Sequence, residues 1–195
     1  QKENPGAIPG IRIVGGKTWL GILADDRTRP LLHAATLPAL KVLGEAFSQP
    51  VPVLVQHLTP KIATLEGARP YFIREMVIRK GANRDSSEED IARLIKARLH
   101  ESILRQARYF GIDCPTEDEL GILISQVRRP RGLRLVTSSG ATDAYLTLVD
   151  AEFFSYADFG GMWFAGNLTS RGYGRIGLKL GSLHARRFSN DKASA

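Results

Sequence analysis

The chain lacks the means for a disulfide framework, since its 195 residues include one cysteine, Cys114. A lone cysteine excludes an internal disulfide and fits a reducing compartment. Long apolar runs are also missing. None approaches the roughly 20 residues of a membrane helix, so no membrane partner is expected. No signal peptide is visible, and Gln1 is not an initiator, so the sequence is expected to begin inside a longer one. Metal-ligand patterns are lacking as well. There is no cysteine pair, no H-x-x-x-H and no carboxylate cluster, so neither metal nor cofactor is expected. Asp25-Asp26 reads as a capped turn rather than as Mg²⁺ ligands. Negative charge is the scarcer sign, with 20 Asp and Glu against 27 Lys and Arg, a net charge of +7. Such a surface attracts polyanions, and counterion release favours nucleic acid.

What is present suffices for a packed core, because 43% of the residues are hydrophobic. No repeat recurs at a spacing of ~20–50 residues. "IRIVGGKTWLGILAD" reads as two strands around Gly15-Gly16. A helix is expected from Pro30 to Phe47, capped by Asp26 or Thr28, with Leu32, Leu37, Leu40 and Leu43 as its apolar stripe. "VPVLVQHL" reads as a strand, and "TPKIATLEGARP" as a break. The domain boundary is therefore expected after residue 66, giving units 1–66 and 67–195. "PYFIREMVIRKG" reads as a strand. The clearest element follows: a helix capped by Ser86 or Ser87, ended by Gly111, and buried along Ile91, Leu94, Ile95, Leu99 and Ile103. A second helix is expected from Thr116 to Gln126. "RRPRGLRLV" reads as a basic loop entering a strand, "SSGATD" as a turn, and "AYLTLVDAEFFSY" as another strand. "RIGLKLGSLHARRF" reads as a final strand. The pattern indicates an α+β fold of two small units.

The segment 159–177, "FGGMWFAGNLTSRGYGRIG", carries six glycines. Glycine lets backbone approach a ligand closely, and a Gly-rich loop beside arginines can turn N–H groups toward phosphate. Tight turns within a packed strand pair would use the same residues. The segment has no G-K-[ST] at Walker spacing, and no G-x-G-x-x-G between a strand and a long helix. Arg171-Gly172-Tyr173-Gly174 matches the first four positions of an RRM strand motif. Arg175 and Leu178 then stand where aromatics are wanted.

This segment resembles the C-terminal glycine-rich loop of the RAMP superfamily, the ferredoxin-like RNA-binding proteins of CRISPR systems. "ARPYFIREMVIRKG", the helix ending "LRQARYFGIDCP", and "GGMWFAGNLTSRGYG" occur in an order similar to the CRISPR RNA-processing endoribonuclease subunits of type IV effector complexes. The resemblance spans residues 15–177. It implies two ferredoxin-like, RRM-like units. The first would be incomplete at its N-terminus, and the second would carry a helical insertion at about 86–126 and the Gly-rich loop. It also implies cleavage of CRISPR repeat RNA, retention of the crRNA 3′ hairpin, and a place in the prokaryotic cytoplasm. The implied partners are other effector subunits, including the backbone RAMP protein, and, through the complex, target DNA and a helicase.

Metal-free RNA cleavage uses the 2′-hydroxyl as nucleophile. It leaves a 2′,3′-cyclic phosphate and a 5′-hydroxyl. It needs a base, an acid, and cations for the phosphorane. Histidine suits proton transfer near neutrality, and arginine suits the anion. His33, beside Arg27 and Arg29 at a helix start, is the candidate base among two cations, although a core or capping histidine would look the same. Arg171 is the candidate cation of the Gly-rich loop. His57 reads as structural, His100 as solvated on the long helix, and His184 as an RNA contact or part of a loose end.

Three basic groups are candidates for RNA binding. Arg93, Lys96 and Arg108 lie on the long helix, where a solvated face is the alternative. Arg128, Arg129, Arg131 and Arg134 form the densest run. Arg74, Arg79 and Lys80 flank a strand. Gly160, Gly161, Ser170, Gly172, Tyr173, Gly174 and Arg175 belong to the Gly-rich loop, and Arg186 and Arg187 to the tail. Alanine at Gly172 or Gly174 is expected to leave the fold intact. A non-catalytic RNA-binding subunit of the same architecture, and a ribosome-associated scaffold, are the competing readings.

Overall fold

The computed structural model describes residues 11–15, 20–48, 51–78, 87–128, 130–136 and 142–179. Arg79, Lys80, Arg129, His184, Arg186 and Arg187 lie outside them, as does the side chain of Arg134. The chain divides into two compact units, Gln1–Leu58 with Ser170–Gly172, and Thr59–Thr169 with Tyr173–Ala195. The break expected after residue 66 falls inside a strand, Lys61–Ile78.

In the first unit, β1 (Ile11–Gly15) and β2 (Leu20–Ala24) form the expected antiparallel hairpin. Helix α1 (Arg29–Phe47) follows. Thr28 occupies its N-cap position without capping it. Its hydroxyl instead donates to Asp25 Oδ1 at 2.7 Å, and Asp25 O accepts the Arg29 N–H at 2.8 Å. None of the α1 residues is buried, and Leu37 is exposed. Residues 51–58, expected as a strand, have no regular structure, and His57 there is exposed. "VPVLVQHL" carries Pro52, which has no N–H for a ladder, and a proline inside a short run demotes a strand.

The second unit is built on β3 (Lys61–Ile78), β6 (Thr142–Gly160) and β8 (Arg175–Leu178), with α2 (Glu88–Phe110) across one face. α2 starts where the Ser87 side chain accepts the Asp90 N–H. It ends at Gly111, whose φ of 66° suits glycine. Ile91, Ile95, Leu99, Ile103 and Ala107 form its buried stripe, while Leu94 is partly buried. This stripe packs with Tyr71, Ile73, Met76, Ile78, Val149, Ala151, Phe153 and Ile176. Each such aliphatic or aromatic chain contributes about 1.5–3 kcal/mol on burial.

The helix expected over Thr116–Gln126 is only α3 (Glu117–Leu120). Gly121, at φ 51°, ends it, and β4 (Leu123–Val127) follows. β4 and β5 (Arg131–Val136) pair with consecutive stretches of β6, one interrupted edge strand. Pro130, which has no N–H to donate, stands in the interruption, a position sheets tolerate at an edge. The order β8-β3-β6-β5 is antiparallel throughout, with α2 joining β3 to the outer strands. That is the 4-1-3-2 order of a ferredoxin-like unit. Where such a unit has its second helix, between β6 and β8, this chain has β7 (Trp163–Phe164) and a 3₁₀ turn at Thr169–Arg171. The fold is α+β and ferredoxin-like.

Candidate nucleic-acid interface

The glycines of the β6–β8 connection serve internal packing more than the sequence suggests. Gly174 is buried at φ 72°, and a Cβ there would lie 1.8 Å from the carbonyl oxygen of Ala165. The close approach exists because the Ala165 N–H donates to Gly174 O at 2.8 Å. Gly174 N–H in turn donates to Arg74 O at 3.1 Å. Gly166, at φ 91°, presses on Val77 O in the same way. The expectation that alanine at 174 leaves the fold intact is therefore corrected: the missing Cβ faces protein backbone. Trp163 and Phe164 are buried, and the Trp163 indole N–H donates to Gly160 O at 2.8 Å. The segment builds core and turns together.

A second anchor comes from α2. Gln106 donates from Nε2 to Phe164 O, and its Oε1 accepts the Phe164 N–H at 3.2 Å. Ser102 Oγ accepts the Gly166 N–H at 3.1 Å. Both side chains are buried. Sequence reasoning missed them, although polar residues at 102 and 106, four apart within an apolar stripe, were a readable signal. Buried Arg12 on β1 was also missed.

On the surface of this frame, Ser170 and Tyr173 are half-buried and Arg171 is exposed. Gly161 (φ 83°) and Gly172 (φ 83°) take left-handed turns, and a Cβ on Gly160 would meet only the Lys61 side chain closely. Arg171 belongs to the first compact unit. So do Arg27, Arg29 and exposed His33. Arg29 and His33 stand four residues apart on α1, hence on one side of it. Arg29 also lies 3.6 Å from Asp26, an exposed pair of little energetic weight.

On α2, Arg93 pairs with Asp90 at 2.8 Å and Lys96 with Glu117 at 3.4 Å. Arg108 is exposed with no ion pair among the described residues. At the edge strand, Arg128 is exposed, while Arg131 reaches Asp150 at 3.3 Å. Asp150 also accepts the Glu75 N–H at 2.6 Å, at an irregularity in β3 where Glu75 has φ 52°. Arg74 and Arg175 are direct partners in the β3–β8 register. Among the described residues no three His, Cys, Asp or Glu gather in a way that could hold a metal ion. No described helix is long and apolar enough to cross a membrane.

The sequence pattern of the type IV CRISPR-associated endonuclease Csf5 family matches residues 1–180. The chain belongs to this family. The solved structure titled "Csf5, CRISPR-Cas type IV Cas6 crRNA endonuclease" is 43% identical, with a TM-score of 0.79 over 88% of this chain and 68% of that one. Two further structures share the fold. "Crystal structure of Cas6b" is 16% identical with a TM-score of 0.55, covering 88% of this chain and 79% of its own. "Crystal structure of CRISPR RNA processing endoribonuclease Cas6b" is 15% identical with a TM-score of 0.57, covering 88% and 82%. No curated protein sequence matches the chain. Csf5 membership accords with the ferredoxin-like order of the second unit.

Proposed function

We propose that the chain cleaves CRISPR repeat RNA without a metal ion and keeps the 3′ hairpin of its product as a subunit of a type IV effector complex. The reading is supported above all by one observation: Arg171, distant in sequence from Arg27, Arg29 and His33, falls with them in one compact unit. A 2′-hydroxyl attacks the adjacent phosphorus, His33 takes the 2′-proton, and the departing 5′-oxygen takes a proton from water. The arginines hold the phosphorane, since guanidinium stays charged and donates in a fork. The products are a 2′,3′-cyclic phosphate and a 5′-hydroxyl.

Arg93, Lys96, Arg108 and Arg128 contribute contacts to hairpin phosphates, which fix register rather than sequence. Retention of the product follows from these contacts, because cleavage removes none of them. Binding to the backbone RAMP protein would then hold this subunit in the complex.

The test is incubation of the protein with its repeat hairpin in excess EDTA. Cleavage leaving a cyclic phosphate is expected, and His33→Ala is expected to lower the rate about 100-fold or more while hairpin affinity persists. Hairpin binding without cleavage would assign a non-catalytic subunit. Equal affinity for hairpins of unrelated sequence would assign a scaffold.

A further inference from the structure

The peptide that joins Arg74 to Glu75 is held from both sides. Its N–H donates to Asp150 Oδ1 at 2.6 Å, and its C=O accepts the Gly174 N–H at 3.1 Å. The register shows why a side chain is used on the β6 side. Ile73 faces Ala151 and Met76 faces Val149, so Arg74 and Glu75 together oppose Asp150 alone, a bulge in β3. The backbone carbonyl of Asp150 is engaged elsewhere, accepting the Arg128 N–H at 2.9 Å. The Asp150 carboxylate therefore takes the place that a ladder carbonyl would have.

Two features distinguish this bulge from a simple kink. Glu75 stands at φ 52°, a left-handed conformation that a non-glycine residue keeps only where its surroundings impose it. The acceptor is a carboxylate, matched by Arg131 at 3.3 Å, and such an acceptor makes a shorter and stronger bond to an amide than a carbonyl does. Polarising the N–H end of a peptide makes its C=O a better acceptor, so the effect of Asp150 is passed on to the Gly174 N–H. That N–H belongs to the peptide joining Tyr173 to Gly174. The far side of Gly174 is fixed as well, since its carbonyl accepts the Ala165 N–H at 2.8 Å. Half-buried Tyr173 takes its direction from this anchored peptide.

We infer that Asp150 is a positioning residue for RNA binding: through the Arg74–Glu75 peptide it fixes the Tyr173–Gly174 peptide and so aims Tyr173 at the RNA. The inference rests on the reading of the Gly-rich loop as an RNA contact. The charge of Asp150 works against this role, because an acid near a phosphate backbone weakens binding. Positioning and electrostatics thus predict opposite signs when the residue is removed.

The experiment measures affinity for the repeat hairpin by fluorescence anisotropy, beside melts, cleavage and amide hydrogen exchange on the same preparations. Asp150→Asn removes the charge and keeps an acceptor. It is expected to bind the hairpin as tightly as the unaltered protein, or more tightly. Asp150→Ala removes both and is expected to bind about tenfold more weakly, although it gains net positive charge and releases Arg131. Tyr173→Leu is expected to lose about tenfold too, and Asp150→Ala to add little in that background, because residues that act through one another are not additive. In the unaltered protein the Gly174 N–H is expected to exchange as slowly as the buried amides of α2, a measurement that needs no variant to fold. Tighter hairpin binding by Asp150→Ala, additive losses in the double variant, or fast exchange at Gly174 would overturn the inference. So would a loss in Asp150→Ala that vanishes once the folded fraction is taken into account, which would assign Asp150 to stability alone. Hairpin binding without cleavage by the unaltered protein would overturn the proposed catalysis and leave Asp150 in this role.

Discussion

Gln106 on α2 meets the backbone of Phe164 at two points, donating to its carbonyl and accepting its N–H. A side-chain amide thereby takes the place of a neighbouring strand beside β7. It ties α2, which carries Arg93, Lys96 and Arg108, to β7 of the same unit. Packing between the two is thus fixed in register as well as in distance.

Gln106→Leu should therefore cost more than an ordinary core change, because two buried backbone groups lose their partners at about 1–3 kcal/mol each. The melting temperature is expected to fall by roughly 4 °C or more. Cleavage is expected to fall further than hairpin affinity, since the helix surface is untouched. Gln106→Glu keeps the acceptor but sets a carboxylate against Phe164 O. Its protonated form is favoured in the folded state, so its pKa is raised there. The variant should be most stable at low pH and lose stability as pH rises through that raised value. Melts across pH, beside single-turnover cleavage, check both. Unchanged kinetics in the leucine variant would remove the coupling.

The two arginines at the edge-strand break should behave differently. Arg128 is exposed without an ion pair among the described residues, so Arg128→Ala should reduce the salt slope of hairpin binding by about one. The loss should be similar for many RNA sequences. Arg131 is matched by Asp150, which also fixes the β3 irregularity at Glu75. Arg131→Ala should change the slope less and lower the melting temperature more. Anisotropy titrations at several salt concentrations separate them. A loss confined to one RNA sequence would contradict phosphate contact.

The acid limb of stability should carry a contribution from α3. Thr116 and Glu119 form a reciprocal cap, in which the Thr116 N–H reaches Glu119 Oε2 at 2.7 Å and Thr116 Oγ1 accepts the Glu119 N–H at 3.2 Å. The Thr116 backbone and then its hydroxyl hold the Glu119 carboxyl below its ordinary range. A lowered folded pKa means stability that is present above the unfolded value and lost as pH falls through the folded one. Glu119→Gln should flatten this part of the acid limb and leave stability near neutrality only slightly reduced. Urea unfolding from neutral to acid pH measures it, and an identical acid limb in the variant would refute the assignment.

The local signals were legible where periodicity and end residues agreed. α2 shows this, with Ser87, the 4-spaced isoleucines and leucines, and Gly111 all pointing to one helix. The β1–β2 hairpin was equally plain from Gly15-Gly16. The ferredoxin-like order came from the resemblance, because strand order depends on pairings such as Tyr71 with Phe153 that no local pattern encodes. "TPKIATLEGARP" misled through its Pro60, Gly67 and Pro70: Pro60 only precedes β3, Gly67 falls in a register irregularity against β6, and Pro70 pairs with Phe154. The extent of α3 misled because Gly121 stops the helix within one turn, while "ILISQV" satisfies both a helical and a strand reading. Of the candidate site, the residue types were visible. The partners that constrain them, Asp150 at Arg131 and Ala165 at Gly174, were not.

Gly174 and Gly67 give the sharpest contrast within one fold. At Gly174 an added Cβ meets the Ala165 carbonyl oxygen at 1.8 Å, and φ is 72°. Neither atom can yield, because Ala165 N–H donates back to Gly174 O and Gly174 N–H is held by Arg74 O. Gly174→Ala should therefore destabilise by about 3 kcal/mol or more, combining backbone collision with left-handed strain. Gly67 lies in β3 with nothing within 4 Å of an added Cβ and no left-handed φ. Gly67→Ala should be neutral or stabilise by up to about 1 kcal/mol, since it narrows the unfolded ensemble. Arg171→Ala, at an exposed position, should melt like the unaltered protein and lose cleavage. Denaturant unfolding of the three variants, each beside cleavage of the repeat hairpin, separates the two uses of glycine. Should Gly174→Ala unfold like the unaltered protein, the turn has another conformation in solution, and the glycine answers to RNA after all.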